Sequence, residues 1–402
     1  MDAYLKIIDD DSSDDEMLLS VMRSCAEELD READEGPSHR PRKTRIYIPR
    51  DRESAAERLR RDYFEVQPTF SDHKFKRRYQ MSPQLFERII ACIRDCTINP
   101  LPAHFAYFRH SYDAVGRKSF NIYQKCTSAL RQLAYGTRGD MWDEYLHMSE
   151  LTSLMCLDNF CLFVTDLYQQ EYLRKPTARD IQRIYERHET KHGFRGMLGS
   201  IDCMHWEWKN CSVAWQGSNN DINVLNRLPL FDSLKNGSAP TSPFTVNGHD
   251  YTHGYYLADG IYLDWATLIK AYQSPTDEPS TKLTHFQENA RKDVERTFGV
   301  LQGRFNILHV PGRAWRAKKL HHILYCCVLL HNMIQEDNGF AITSLDEEYL
   351  NEPENQPVFV RNRNTTRAAL EKENRDKDVH NALRADLTAH IWNLPPNYRR
   401  SI

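Results

Sequence analysis

The sequence predicts a fold of the α+β class that is mostly α, with an N-terminal helical region followed by a smaller α/β region. From about Phe70 to Thr190, apolar residues recur at three- and four-residue steps, as in amphipathic helices. From about His192 onward, short apolar runs flanked by glycine alternate with helical stretches, which indicates strands mixed with helices. The chain has 402 residues and is 40% hydrophobic, enough for two or three domains with packed cores.

Residues 1–62 are predicted to be a disordered arm that changes from acidic to basic. The stretches DDDSSDDE and EELDREADE come first, and a run of arginines and a lysine follows between residues 40 and 52. Such a segment has few apolar residues to bury. It is either a nuclear-import or phosphate-contacting arm or an ordinary solvated tail. Because the formal net charge of the whole chain is only -3, any nucleic-acid binding must depend on local patches.

The sequence favours a soluble protein of a reducing, intracellular compartment. Its first residues are acidic, unlike a signal peptide, and no run of about 18 apolar residues occurs. Neither Cys92 and Cys96 nor Cys156 and Cys161 have zinc-finger spacing. Free thiols are therefore the expected state of the ten cysteines.

Residues 63–195 are predicted to form a helical, helix-turn-helix-like domain. Ser82 and Pro83 open one amphipathic helix, a second helix ends at Gly136, and a long apolar helix follows Ser149. The pair around Gly136 is either a helix-turn-helix that reads the major groove or part of a plain helical bundle. The second helix of this pair carries almost no Lys or Arg, which favours the bundle.

Residues 196–337 are predicted to mix strands and helices. One strand is expected from about Leu198 to Trp208 and a second one ending at Asp259. A short helix over residues 222–225, a helix over 285–305 and an apolar helix over 320–334 are also predicted. Residues 338–402 form a charged tail, in which the amphipathic stretch ALRADLTAHIWNL is expected to be a docking helix.

Three carboxylates lie where a charge is costly or specifically placed. Asp202 interrupts an apolar run, so that it needs either a cation or a turn. Asp259 ends a predicted parallel strand, where α/β sheets bind ligands, although Asp-Gly is also a common turn. Glu295 follows Arg291 by one helical turn, and the plain alternative is an exposed ion pair. If the three converged within ~4 Å, each pair would repel by roughly 4 kcal/mol at an effective dielectric of 20, so a divalent cation would be required.

Several strings resemble those of plant PIF/Harbinger transposases and their domesticated descendants, in the same order. They are QKCTSALRQLAYGT, DEYLHMSE, GMLGSIDCMHWEWKNC, GSNNDINVLNR, GYYLADGIY, RKDVERTFGVLQGRF and LLHNMI, within residues 70–335. The resemblance implies a ribonuclease H-like fold, a DDE nuclease domain over 196–337 and a catalytic, metal-binding triad of Asp202, Asp259 and Glu295. The 35 residues between Asp259 and Glu295 agree with the spacing of that family.

The resemblance also implies cofactors, partners and a location. Two Mg²⁺ or Mn²⁺ ions on the triad would activate a nucleophile for phosphodiester hydrolysis or strand transfer. DNA, a Myb-like or chromatin protein partner and the nucleus are the expected ligand, partner and compartment, with no membrane. Arg291 resembles a basic residue of the family that contacts phosphate or orients the glutamate, and a plain ion pair is the alternative. Asp221 is interpreted as a helix cap, and His205 and His331 are interpreted as core histidines outside the metal site.

One segment of the predicted nuclease domain is too short. Only nine residues separate Trp208 from Ser218, whereas the resembling proteins have two further strands there, which need at least ~13 residues. The sequence also changes abruptly at Gln216 and Gly217. A truncated domain lacking two strands is therefore predicted, with the Asp202 and Asp259 strands still paired side by side and a sheet edge exposed.

Two functions follow from these predictions. The first is a transposase-derived, metal-dependent DNA endonuclease whose activity is impaired or lost. The second is a catalytically inactive, domesticated nuclear protein that binds DNA, chromatin or another protein. A third reading, an incomplete gene product that does not fold, also follows from the missing segment.

Overall fold

The computed structural model describes residues 50–112, 116–211, 242–262, 265–339, 377–395 and 398. The described residues are mostly helical with few strands, which confirms the predicted α+β, mostly α class. The predicted short helix over 222–225 and most of the predicted arm lie outside the described residues.

The first half of the chain forms helices with clear sequence boundaries. Ser82 accepts a hydrogen bond from the backbone N–H of Leu85 at the start of one helix, and Gly136 ends another in the left-handed conformation. Ser149 caps the long helix that follows, as predicted. The helices are α1 Arg52–Tyr63, α2 Asp72–Tyr79, α3 Pro83–Arg94, α4 Ala103–Phe108, α5 Ile122–Tyr135, α6 Asp143–Leu146, α7 Glu150–Tyr172 and α8 Ala178–His192, with a 3-10 turn at Gly139–Trp142.

Helix α1 shows that the fold begins inside the segment predicted as an arm. Leu59 and Tyr63 are buried in the core of the helical half. The Arg50 guanidinium also pairs with the Asp143 carboxylate at 3.0 Å. The helical region therefore starts near residue 52, because these apolar side chains recur on one helical face despite the surrounding charges.

Helix α7 lies at the centre of a helical bundle, which favours the plain-bundle alternative over the helix-turn-helix one. It packs against α5 and against α10, Ala317–Asp337. The Ser128 and Ser153 hydroxyls lie 2.5 Å apart, and the Gln132 amide donates to the Ser153 carbonyl at 2.8 Å. The exposed residues of α7 are Glu150, Leu151, Met155, Asp166 and Gln170, none of them basic. By length and composition α7 could also cross a membrane, but its packing between two helices explains its apolar character.

The second half contains a small parallel sheet and a hairpin. Strands β1 Met197–Ser200, β4 Tyr255–Leu257 and β5 Leu268–Ile269 pair in the order β1-β4-β5, all parallel. Strands β2 Phe244–Val246 and β3 His249–Tyr251 form the antiparallel hairpin. The predicted side-by-side pairing of the Asp202 and Asp259 strands is thus observed.

Strand β1 is shorter than predicted, because the segment after it leaves the sheet. It ends at Ser200 instead of about Trp208. The backbone N–H groups of Lys209 and Gly312 donate to the carbonyls of Gly312 and Glu207, so residues 206–210 lie beside the loop at 310–314. Within the described part of the chain, no strand pairs with the other edge of β1.

Helix α8 and two helices from later in the chain pack against the sheet. Helix α9, Glu278–Arg304, begins seven residues before the predicted one and leads into a 3-10 turn at Asn306–Leu308. The amphipathic tail stretch forms α11, Lys377–Trp392, which packs on α9. Leu383, Leu387 and Ile391 of α11 complete a second core with Leu257 of β4 and Leu283 of α9.

Candidate functional site

Asp202 and Asp259 lie at the same edge of the sheet. Ser200 of β1 pairs with Leu257 of β4. Asp202 lies two residues after Ser200, and Asp259 lies two residues after Leu257. The backbone N–H of Ile201 still donates to the carbonyl of Leu257 at 2.8 Å. Because the strands are parallel, their carboxyl ends place the two aspartates side by side, where α/β sheets bind ligands.

Helix α9 brings a third acidic residue to this edge. Gln287, Arg291 and Glu295 follow at four-residue steps, so they share one face of the helix. The buried Gln287 side-chain amide donates to the carbonyls of Ala258 and Ile269 at 2.9 and 3.2 Å. This amide fixes α9 against the ends of β4 and β5, and Arg291 and Glu295 follow one and two turns later.

One guanidinium contacts all three predicted triad residues. Arg291 Nη1 lies 3.8 Å from Asp202 Oδ2 and 3.5 Å from Asp259 Oδ2, and Arg291 Nη2 lies 3.1 Å from Glu295 Oε1. The side chains of Arg291 and Asp202 are 18% and 22% exposed, whereas those of Asp259 and Glu295 are about half exposed. The cluster is therefore a shallow site with a covered floor and an open rim.

The other carboxylate oxygens of the two aspartates are held by the backbone. The N–H of Cys203 donates to Asp202 Oδ1 at 2.9 Å, and the N–H of Gly260 donates to Asp259 Oδ1 at 2.5 Å. These bonds leave one oxygen of each carboxylate directed at Arg291. Asp259 therefore has both predicted roles, because its side chain caps the Asp-Gly turn and also faces the cluster.

The chemistry of these side chains suits a hard divalent cation, but their spacing suits the guanidinium. Carboxylate oxygens are the ligands that Mg²⁺ and Mn²⁺ prefer, and three carboxylates against one guanidinium leave a formal charge of −2. In the described ranges, however, no three His, Cys, Asp or Glu side chains lie close enough together to hold a metal ion. Arg291 occupies the centre of the cluster and partly neutralises it.

The opposite side of α9 is held by a second ionic contact that sequence reasoning missed. Lys191 Nζ and His192 Nε2 of α8 lie 2.5 and 2.9 Å from Asp293 Oδ2. Partial burial opposes ionisation of Asp293, but the bonds from Lys191 and His192 lower the pKa of this carboxyl below its usual value. Asp293 therefore orients α9 and does not join the cluster. Asp293 and Glu295 are two positions apart and so face different sides of the helix. This spacing is the only sequence signal that separates their roles.

The remaining predicted residues lie away from the cluster. His331 is buried, and its Nδ1 accepts a hydrogen bond from the Arg304 guanidinium at 3.0 Å. Burial and the Arg304 charge lower the pKa of His331 to about 4, as expected for a core histidine. His205 is exposed, which corrects its interpretation as a core residue. Asp221 lies outside the described residues, and no disulfide joins the described cysteines.

Comparison with known protein families gives two matches. Residues 170–218 and 216–341 match the family described as plant transposon protein, in two separate segments. Residues 56–94, which include most of α1 and all of α2 and α3, match a domain of unknown function. No curated protein and no solved structure matches the chain.

The plant transposon match includes all three carboxylates of the cluster and Arg291. Its two segments overlap at 216–218, next to the abrupt change of sequence at Gln216 and Gly217. Residues 170–341 of this chain are thus similar to plant transposon proteins.

Proposed function

We propose that this protein is a transposase-derived DNA endonuclease whose acidic cluster, Asp202, Asp259 and Glu295, is the site of metal-dependent phosphodiester chemistry. The observation that carries the proposal is the convergence of these three carboxylates, from two strand ends and one helix, on the guanidinium of Arg291. Such convergence is electrostatically unfavourable unless a positive charge occupies the centre.

The order of the elements supports a ribonuclease H-like origin of the Harbinger type. Two parallel neighbouring strands each end in one of the aspartates, and a helix across the sheet carries the glutamate. The spacing of 35 residues between Asp259 and Glu295 agrees with this origin. Only nine residues separate Trp208 from Ser218, too few for two further strands, so we infer that activity is reduced relative to a complete enzyme.

Each side chain has a defined role under this proposal. Asp202, Asp259 and Glu295 would supply oxygen ligands, and Gln287 would position the helix that carries Glu295. A bound divalent ion would supply an activated nucleophile and stabilise the leaving oxygen of the phosphodiester. Arg291 would turn away from the carboxylates toward a DNA phosphate, to which a guanidinium binds well.

A plasmid-nicking assay tests the proposal directly. Supercoiled DNA is incubated with the full chain in Mg²⁺ or Mn²⁺, and relaxed product is measured on a gel. Asp202→Ala should abolish nicking, whereas Asp250→Ala, on the hairpin, should leave it unchanged. Equal nicking by the wild type and Asp202→Ala would mean that a contaminating nuclease, and not this cluster, is responsible.

The second candidate function is an inactive protein that binds DNA, chromatin or another protein. The position of Arg291 favours it, because an internal cation already compensates the carboxylates. This function predicts no nicking by the wild type, and DNA or chromatin binding that survives simultaneous replacement of all three carboxylates by alanine. If the wild type bound neither DNA nor nuclear chromatin, this second function would be refuted. Under either function, a nuclear location and a Myb-like or chromatin partner stay predictions.

A further inference from the structure

An exposed tryptophan marks a second surface of the protein, outside the acidic cluster. Trp315 is 83% exposed, more than any other aromatic side chain in the described part of the protein. A large aromatic ring in water loses the burial energy that such side chains ordinarily contribute. Its exposure therefore calls for a ligand with a flat apolar face.

The loop that carries Trp315 is firmly held. The indole N–H groups of Trp206 and Trp208 donate to the carbonyls of Val310 and Ala314 at 2.9 and 2.7 Å. The Asn210 side-chain amide donates to the Arg313 carbonyl at 2.7 Å. These bonds fix the backbone that leads into Trp315, and helix α10 begins two residues after it, so binding there requires little ordering of the loop.

Close packing also restricts this loop. Gly312 is buried, and a Cβ at this position would lie 2.7 Å from Leu320 Cδ2. A larger residue here would require the Leu320 side chain of helix α10 to shift. The ring of Trp315 is thus presented on a fixed support and is not part of a loose turn.

The surroundings of Trp315 are basic. Lys209, Arg313, Arg316 and Lys318 are exposed along the two paired segments. Lys319 is also close but pairs with Asp158 at 2.7 Å, and Glu207 is the exposed acidic residue of the same segment. Positive charges therefore exceed negative ones around the ring, which suits a polyanion.

This basic and aromatic surface is linked to the segment that follows Asp202. Three residues separate Asp202 from Trp206, whose indole bonds the Trp315 loop, and the Cα atoms of Asp202 and Trp206 lie at most about 14 Å apart. Bases in a duplex have both faces covered by their neighbours, whereas unpaired bases can stack on an aromatic ring. The neighbouring arginines and lysines would bind the phosphates without regard to sequence.

We propose that Trp315, with Arg313 and Arg316, binds a single DNA strand by stacking an unpaired base and pairing with its phosphates, on the loop that is held by the segment following Asp202. The identity of the ligand as DNA rests on the proposed function. The surface itself requires no activity of the cluster, so that binding and nicking are separable.

Binding of a fluorescein-labelled single-stranded oligonucleotide to the full chain, measured by anisotropy in EDTA, tests this proposal. Trp315→Ala should weaken binding by roughly 5- to 150-fold, the effect of losing one stacked base, and Trp315→Phe should keep most of the affinity. Trp392→Ala, at a partly exposed tryptophan of α11, is the matched control and should bind like the wild type. The double variant with Arg313→Ala and Arg316→Ala should lower the slope of log Kd against the logarithm of the salt concentration by about one to two.

Several outcomes would overturn the proposal. No binding by the wild type, unchanged binding by Trp315→Ala, or equal losses for single-stranded and duplex DNA would each refute stacking of an unpaired base. A partner protein bound through Trp315 in place of DNA would refute it as well. If the wild type does not nick DNA but Trp315→Ala loses strand binding, the proposed nuclease function fails while this surface stands. If nicking depends on Asp202 but Trp315→Ala binds the single strand like the wild type, the nuclease function stands while this surface fails.

Discussion

Replacement of Arg291 by methionine tests the acidic cluster most directly. Methionine keeps much of the length of the side chain and removes its charge, so Asp202, Asp259 and Glu295 face one another without their shared cation. The variant should therefore lose the ion pairs and gain repulsion among the carboxylates. Arg296→Met is the matched control, because Arg296 lies on the same helix, is 71% exposed and pairs only with Asp293 among the described residues.

The size of the effect follows from the exposure of the partners. Exposed ion pairs contribute about 0.2–1 kcal/mol each to the free energy of unfolding. The pairs of Arg291 with Asp259 and Glu295 fall in that range, because both carboxylates are about half exposed. Three pairs together give a loss of about 1–3 kcal/mol in the free energy of unfolding. At about 2–4 °C per kcal/mol for a domain of this size, the melting temperature should fall by roughly 2–10 °C. Arg296→Met should change the free energy of unfolding by less than about 0.5 kcal/mol.

Thermal unfolding at several salt and metal concentrations provides the assay. Raising NaCl should narrow the difference between Arg291→Met and the wild type, because salt screens the carboxylate repulsion. Mn²⁺ should stabilise Arg291→Met more than the wild type, since no guanidinium has to be displaced, and adding Asp202→Asn should remove that gain. If Arg291→Met is as stable as the wild type and insensitive to salt and Mn²⁺, the three carboxylates do not converge in solution.

Three further predictions concern the elements that hold the site. Gln287→Leu removes the donor to two buried carbonyls at the strand ends, and urea unfolding should show a loss of about 1–3 kcal/mol, together with reduced nicking if the proposed function holds. Leu387→Ala in the buried face of α11 should cost about 2–5 kcal/mol, and wild-type stability of this variant would show that α11 is not docked in solution. Because burial lowers the pKa of His331 to about 4, below the ordinary 6.5, the folded state binds fewer protons than the unfolded state between these values. The stability that neutral His331 contributes is therefore fully present above pH 6.5 and decreases as the pH falls toward 4. The difference between the urea midpoints at pH 7 and at pH 4.5 should be smaller in His331→Gln than in the wild type. The control His285→Gln, at an exposed histidine, should show the wild-type difference.

Local patterns were sufficient to predict three helices of the first half. Ser82, Gly136 and Ser149 mark helix ends through hydrogen bonds within a few residues, so their effect can be read without the fold. The choice of the acidic residues and the side-by-side arrangement of the Asp202 and Asp259 strands, which the structure shows, came instead from the family resemblance.

The sequence alone thus determined the mostly helical class, the transposon-derived similarity and the residues Asp202, Asp259 and Glu295. Only the tertiary structure decided that Arg291 serves all three carboxylates, since its long side chain can pair with any neighbour and the choice depends on how α9 crosses the sheet. The same holds for Gln287, a polar residue whose two carbonyl partners come from different strands. It also holds for α7 and the Trp315 loop, because burial and exposure of an apolar side chain depend on what packs against it.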